Sequence, residues 1–154
     1  MTAPLRLCVR RADRPHPAGF AVEVALRIPS DVGIIEEAVE LVARHCFATW
    51  DAPSRARFRF RVSLSEALAN AMLYGNEERH ERMVEVRAEC LPDAIHVHVT
   101  DEGPGFDPAT IRDPVTPDDL ELPCGRGLFL IRNLMDDVRF IPPGNSLCMT
   151  LRRP

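Results

Sequence analysis

The sequence predicts an α+β fold, a two-layer α/β sandwich in which helices cover one face of a mixed, mostly antiparallel sheet. Two observations support this prediction. Segments in which apolar and polar residues alternate follow one another in pairs, as in β-hairpins, and three segments carry apolar residues at helical spacing. At 154 residues the chain has room for one domain, so residues 1–154 are treated as a single unit.

The first third of the chain is expected to contain two strands and a helix. Within residues 1–19, a short strand over residues 5–9 precedes a connection that two prolines and a glycine interrupt. Regular alternation of apolar and polar residues predicts a strand over residues 21–28. Ser30 is placed to cap a helix that ends near Trp50.

The rest of the chain alternates between helices and hairpins. A second helix is predicted over residues 54–74, where Gly75 and Asn76 end it. Alternating residues then predict an antiparallel hairpin, with its strands over residues 84–90 and 95–100.

A long polar segment separates this hairpin from the C-terminal part of the chain. It contains five prolines between residues 101 and 124, so we expect a loop in which residues 107–124 form a lid. A third helix is predicted from about residue 127 to 135, and a last hairpin pairs residues 138–141 with 146–151.

Composition restricts the kinds of partner. The net charge of −4 provides no broad cationic field, so direct nucleic-acid binding is not expected. Arg55, Arg57, Arg59 and Arg61 crowd one segment, as either a solvated helix face or a local basic patch. No apolar run approaches the roughly 20 residues of a transmembrane helix, and no signal peptide is evident, which favours a cytoplasmic protein without membrane contact. The five cysteines lack CxxC spacing and are expected to be reduced thiols.

Three short segments carry the candidate chemistry. The first is Glu66 and Asn70, four residues apart on the second predicted helix and therefore on one face of it. Carboxamide oxygens suit Mg²⁺, and a carboxylate one turn away is placed to act as a general base. Taken alone, this spacing also fits a solvated surface pair.

The second segment, residues 101–106, follows a predicted strand. Gly103 and Gly105 permit close approach of the backbone to a flat ligand, and Asp101 is placed to accept a hydrogen bond from an exocyclic amine. The alternative is a plain turn.

The third segment, Gly125-Arg126-Gly127, opens a helix. Unpaired N–H groups there attract phosphate, and Arg126 adds a cation. The alternative is a simple helix cap.

In this order the three segments resemble the N, G1 and G2 boxes of the GHKL ATPase superfamily, whose ATPase domain has the Bergerat fold. The stretch from Glu66 to Asn70 and the G2 segment are most similar to the branch of anti-sigma-factor serine/threonine kinases. The resemblance implies that Asn70 holds Mg²⁺, Glu66 activates the attacking hydroxyl and Asp101 binds the adenine amino group.

It further implies that Gly103 and Gly105 line the purine of ATP, and that Gly125, Arg126 and Gly127 hold its phosphates beneath the lid. Two positions depart from the family pattern. Tyr74 stands where the family commonly has His, and Ser146 where it often has Thr near the adenine.

The resemblance also implies the partners. It suggests an anti-sigma factor that phosphorylates an antagonist (anti-anti-sigma) protein, sequesters a sigma factor, and forms a homodimer whose interface no sequence pattern identifies. Two alternatives remain: the ATP-binding domain of a histidine kinase, and a nucleotide-sensing binding module without phosphotransfer.

Five of the aromatic or imidazole residues that lie outside the motifs allow more than one interpretation. His45, Phe47 and Trp50 are interpreted as a partner surface or, for the two aromatics, as core. His96 and His98 are expected to be surface residues on the polar side of a strand rather than ligands.

Overall fold

The computed structural model describes residues 6–16, 19–48, 50–105 and 125–153, so the lid predicted over residues 107–124 lies outside the described part of the chain. Its six strands form one sheet in the order β1-β2-β3-β4-β6-β5, and the five pairings are antiparallel. The strands are β1 Arg6–His16, β2 Gly19–Pro29, β3 Met83–Cys90, β4 Ala94–Thr100, β5 Asp137–Ile141 and β6 Ser146–Arg152.

Three α-helices pack on one face of this sheet. They are α1 Ile35–Cys46, α2 Ser54–Asn70 and α3 Gly125–Leu134, with a 3₁₀ turn at Val32–Ile34 before α1 and a π-helical turn at Ala71–Gly75 after α2. The α2 helix lies between the other two, because it contacts both α1 and α3. The predicted α+β sandwich is therefore confirmed.

The core lies between the sheet and the helices. Alternation along the strands turns every second side chain towards the helical layer, as period-two geometry requires. Among the buried strand residues are Val24, Leu26, Ile28, Val84, Val86, Ala88, Ile95, Val97, Val99, Leu147, Met149 and Leu151. Phe60, Leu64 and Leu68 of α2 meet them with 0% of their surface exposed, so α2 is the central element of the hydrophobic core.

The N-terminal predictions require two corrections. The connection expected after residue 9 is wrong for residues 11–16, which continue β1 and pair with β2, with a register irregularity between Arg11 and Pro15. Proline is tolerated there because β1 is an edge strand. The cap expected at Ser30 is also wrong: the Asp31 carboxylate accepts the N–H of Gly33 at 2.9 Å.

The crowded arginines of α2 are largely used inside the molecule. Arg57 lies over the Phe47 ring and Arg59 bonds the carbonyl of Leu134, while Arg61 pairs with Glu40. These contacts join α2 to its neighbours. Three of the four arginines therefore take part in internal contacts, which argues against a free basic patch.

Two aromatic side chains near the end of α1 belong to the core. Phe47 is 6% exposed and packs edge-on against Phe60 with ring centroids 5.2 Å apart. Trp50 packs against Phe47 and is covered by Arg153. The helix itself ends at Cys46 rather than near Trp50, and core packing is the interpretation that holds for both rings.

Two cysteines are buried between α1 and the sheet. The thiols of Cys46 and Cys90 share a hydrogen bond, which together with burial raises the pKa of Cys46 well above its ordinary value. Such thiols behave as small apolar packing groups. In the described part of the chain, no helix combines the length and the apolar character that crossing a bilayer requires.

Candidate active site

The C-terminal half of α2 presents two polar side chains to one side. Glu66 and Asn70 are both half-buried and stand one helical turn apart. Beyond them the backbone widens into the π-helical turn Ala71–Gly75, where the N–H of Asn76 donates to the carbonyl of Ala71 at 2.8 Å. Single π turns inside α-helices occur frequently at functional sites.

The N-terminus of α3 packs directly against this pair. A β-carbon at Gly127 would lie 2.8 Å from Glu66 Oε2 and 3.2 Å from Asn70 Nδ2. A β-carbon there would displace the ends of both side chains, so with glycine the first turn of α3 lies against the carboxylate and the carboxamide. Gly125 opens the helix, and Arg126 beside it is exposed. The first and third predicted segments thus meet in space.

The backbone N–H and carbonyl of Asp101, at the end of β4, are both hydrogen-bonded to Asn145. Its N–H donates to the carbonyl of Asn145 at 2.9 Å, and Asn145 Nδ2 donates to the carbonyl of Asp101 at 3.0 Å. The Asp101 carboxylate accepts the N–H of Gly103 at 2.8 Å. These bonds fix the carboxylate in direction as well as place.

Two glycines make room for this carboxylate. A β-carbon at Gly75 would lie 2.1 Å from Asp101 Oδ2, and one at Gly103 would lie 2.0 Å from the carbonyl oxygen of Gly75. Gly105 has φ of +76° and packs against the carbonyl of Pro143, a backbone conformation that favours glycine. The second predicted segment is therefore locked against the π-helical turn.

Burial has the largest effect on the pKa of Asp101. Desolvation raises its pKa above the ordinary 3.8, while the Gly103 N–H and the charge of Arg82 lower it by less. A carboxylate that is desolvated in this way binds a hydrogen-bond donor more strongly than one in water, because less solvent competes.

A cavity of about 350 Å³ joins the Asn70 region to the Asp101 region, a volume within the usual range for small-molecule sites. Its walls are mostly apolar. The lining residues are Ala67, Asn70, Ala71, Tyr74, Gly75, Glu77, Val99, Asp101, Pro104, Gly105, Leu128, Phe140, Gly144, Asn145, Ser146 and Leu147. An apolar slot with a few fixed polar groups fits a flat heterocycle.

The predicted site residues take different positions around this cavity. Asn70, Asp101 and Gly105 line it, whereas Gly103 packs against the carbonyl of Gly75 and the Asp101 carboxylate. Ser146 also lines it, but its hydroxyl is 2.8 Å from that of Thr100. The register pairs these two residues on the side opposite buried Val99, so the Ser146 hydroxyl is engaged on the sheet face away from the helices.

Several residues make contacts here that the sequence did not predict, and Asn76 was expected only to end the second helix. Asn145 is hydrogen-bonded to the backbone of Asp101. Asn76, with 0% of its surface exposed, accepts the N–H of Glu102. Tyr74, at the position that departs from the family pattern, is 44% exposed and lines the cavity together with Glu77. In the sequence, only the Gly75-Asn76 pair at the end of the second predicted helix drew attention to this region.

Histidines 96 and 98 lie outside the cavity. Each is half-buried on the open side of β4, where His96 Nδ1 is 2.9 Å from the Thr150 hydroxyl and His98 Nε2 is 3.7 Å from Cys148 Sγ. Both therefore belong to the cross-strand packing of the uncovered sheet face.

A one-sided antiparallel sheet, with a nucleotide-sized cavity between it and its helices, is the arrangement of a kinase-like ATPase domain. The chain belongs to the family described as the histidine kinase-like ATPase domain, whose model matches residues 28–151. This confirms the family assigned from the three motifs.

The relatives narrow the class further. The serine-protein kinase RsbW of Staphylococcus aureus is 29% identical over 138 residues, which cover 82% of this chain and 84% of that protein. The serine-protein kinase RsbW of Listeria innocua serovar 6a is 32% identical over 110 residues, covering 63% of this chain and 70% of its own.

Proposed function

We propose that this protein is an ATP-dependent serine/threonine protein kinase that acts as an anti-sigma factor. The observation that carries the proposal is the meeting of Glu66, Asn70 and Gly127 beside a cavity that Asp101 also lines. The names of the relatives, which are serine-protein kinases, support the same class of reaction.

In this proposal the adenine lies in the apolar slot. Its exocyclic amine donates to the Asp101 carboxylate. Gly105 keeps the backbone close to the ring, while Gly103 supports the carboxylate through its N–H. Asn70 and Gly75 are five positions apart, roughly 7 Å along the helix. That separation places the phosphates near Asn70 when the base lies near Gly75.

The other end of the cavity suits phosphate and Mg²⁺. The Gly127 contact leaves the first N–H groups of α3 next to the oxygens of Glu66 and Asn70, and hard oxygen donors of this kind fit Mg²⁺. Asn70 would hold the ion, while Gly125, Arg126 and Gly127 would bind phosphate oxygens. The ion would neutralise negative charge on the phosphates.

Glu66 is assigned as the general base. It would accept the proton of a Ser or Thr hydroxyl as that oxygen bonds to the γ-phosphorus and the bond to the ADP oxygen breaks. Positioning supplies most of the rate enhancement in such a reaction, since little covalent chemistry is left to the protein.

The phosphoacceptor is proposed to be a small antagonist protein, with a sigma factor as the competing partner of a homodimeric kinase. Phosphorylation adds about −1.5 to −2 units of charge at the antagonist's surface, which weakens its contact and leaves the kinase to hold the sigma factor.

The test is phosphotransfer from Mg·ATP to a candidate antagonist, followed by mass spectrometry for phosphoserine and phosphothreonine. We expect Glu66→Gln to lower the transfer rate by about 10² to 10⁴-fold while ATP affinity changes little. Glu37→Gln, an exposed glutamate on α1, is the control and should transfer at the wild-type rate.

Other outcomes select the alternatives. ATP binding without labelling of any antagonist would leave a nucleotide-sensing binding module. Acid-labile, base-stable autophosphorylation would identify a histidine kinase instead.

A further inference from the structure

Asn76 is a buried polar hub directly after the π-helical turn. With 0% of its surface exposed, it donates from Nδ2 to Ser30 Oγ at 2.8 Å and to the carbonyl of Met83 at 3.0 Å. Its Oδ1 accepts the N–H of Glu102 at 2.8 Å. A carboxamide offers two N–H donors and one oxygen acceptor, and here both donors and the acceptor are used.

These contacts fall into two groups. The Nδ2 bonds join structural elements and form the architectural side, whereas the Oδ1 bond reaches the loop that carries Asp101, a residue that lines the cavity. On the architectural side, the Ser30 hydroxyl accepts from Asn76 Nδ2 and in turn donates to the carbonyl of Arg82 at 2.7 Å. The end of β2, the start of β3 and the end of the π-helical turn are joined through Nδ2. The Ser30 contacts do not touch the loop that carries Asp101, whereas Met83 also reaches that loop through its own N–H, which donates to Glu102 Oε1 at 3.0 Å.

On the other side, Oδ1 holds only that loop. Glu102 follows Asp101, and the next N–H, that of Gly103, closes onto the Asp101 carboxylate. Asn76 also follows Gly75, whose missing side chain is what lets the carboxylate approach the turn. The Oδ1 contact therefore fixes the peptide between Asp101 and Glu102. That peptide lies between the Asp101 carboxylate and the Gly103 N–H that supports it.

We propose that Asn76 is a positioning residue that sets the direction of the Asp101 carboxylate, and through it the preference of the site for a base carrying an exocyclic amine. This inference rests on the proposed nucleotide-binding function. A hydrogen bond discriminates between bases only while its acceptor is held in place, because a carboxylate that swings away treats an amine and a keto group alike.

The two sides of the hub supply a matched pair of variants. Asn76→Ala removes the contact to Glu102 together with the Nδ2 bonds. Ser30→Ala removes one architectural partner and leaves the Oδ1 contact in place. Both variants lose buried hydrogen bonds and both should melt at a lower temperature than the wild type.

The experiment measures binding of Mg·ATP and Mg·ITP by calorimetry, at a temperature at which melting curves show each variant folded. Inosine has a keto group where adenine has its amine. We expect Asn76→Ala to weaken ATP binding by about tenfold or more and ITP binding by less than about threefold, so that the ATP/ITP affinity ratio falls. Ser30→Ala should keep the wild-type ratio, and Asp101→Asn should abolish it.

Each other result counts against a specific claim. A wild-type ratio in Asn76→Ala, with only the melting temperature lowered, would reduce Asn76 to a structural residue and leave the kinase proposal standing. Equal affinity of the wild type for both nucleotides would overturn the role of Asp101 and this inference together. Binding of neither nucleotide would remove the proposed function as well.

If Asn76→Ala does not fold, Asn76→Asp replaces it. The aspartate keeps an acceptor for the N–H of Glu102 and loses the donors to Ser30 and Met83, so it should be less stable and retain the wild-type ratio to within about threefold. A ratio as low as that of Asp101→Asn would contradict the assignment of selectivity to the Oδ1 contact.

Discussion

At the scale of single residues, the Asp101 carboxylate opposes folding at neutral pH, although the proposed function requires it to bind the adenine amine. Its pKa in the folded chain lies above 3.8 because burial disfavours the charged form, so the folded state holds this proton more tightly than the unfolded state. Stability from this group is present below pH 3.8 and is lost as pH rises through the higher folded pKa. At neutral pH the ionised side chain therefore destabilises the nucleotide-free protein.

Asp101→Asn should separate the two effects. The asparagine oxygen keeps the bond to the N–H of Gly103, but its amide would turn a donor towards the adenine amine. We expect the free energy of unfolding at pH 7 to be no lower than that of the wild type, and ATP affinity to fall by about 100-fold. Denaturant unfolding at pH 5 and pH 7, with calorimetry alongside, checks both; a clearly less stable variant at pH 7 would contradict the pKa argument.

Gly127 is the residue at which a single methyl group should affect catalysis more than folding. Its β-carbon would press on the free ends of Glu66 and Asn70, which are able to move aside, and alanine favours a helix over glycine by about 1 kcal/mol. Gly127→Ala should therefore melt at the wild-type temperature or higher, yet transfer phosphate at least about tenfold more slowly. Unchanged turnover would show that the close approach of α3 has no part in the chemistry.

At the scale of elements, the π-helical turn ends in an unusual backbone. Glu77 and Glu78 have φ of 53° and 59°, a left-handed conformation that costs about 1 kcal/mol for a residue with a β-carbon. Glu77 lines the cavity, whereas Glu78 is exposed beside it. Strain of this kind is retained where neighbouring structure imposes it.

Glu78→Gly should relieve that strain. We expect it to raise the free energy of unfolding by about 0.5 to 1 kcal/mol, with the gain reduced by the greater freedom of glycine in the unfolded chain. Glu81→Gly, at an exposed position of the same loop, should be neutral or destabilising. Urea unfolding of the two variants decides the matter, and equal effects would argue against a strained turn.

Local patterns predicted most elements, and the misses have physical causes. The helix over residues 54–74 ends at the predicted glycine, but the change from α to π bonding at Ala71–Gly75 leaves no mark in composition. Strand β1 continues through Pro15 because β1 is an edge strand, where the missing N–H of a proline is tolerated. Ser30 fits the rule for a cap, yet tertiary contacts with Asn76 and Arg82 engage its hydroxyl.

At the scale of the whole molecule, the candidate site was partly predictable and the sheet order was not. The order of the three segments, and the family that they resemble, predicted Glu66, Asn70 and Asp101 as site residues, because each segment is local in the sequence. The pairing of β2 with β3 across two helices, and of β4 with β6, joins segments that lie far apart in the chain. The hydrogen bonds of Asn76 and Asn145 could not be predicted for the same reason, since their partners come from distant segments.

Because the cavity lies between the sheet and two helices of one core, nucleotide binding should stabilise the entire fold. A ligand at a hundredfold excess over its Kd adds about 2.7 kcal/mol, which for a chain of this size corresponds to about 5 to 10 °C in Tm. We expect Mg·ADP to produce such a shift in the wild type, and ADP with EDTA a smaller one. In Asn70→Ala the two shifts should become equal, because the variant lacks the carboxamide that is proposed to hold the ion. A magnesium-dependent shift that persists in Asn70→Ala would move the metal site away from α2.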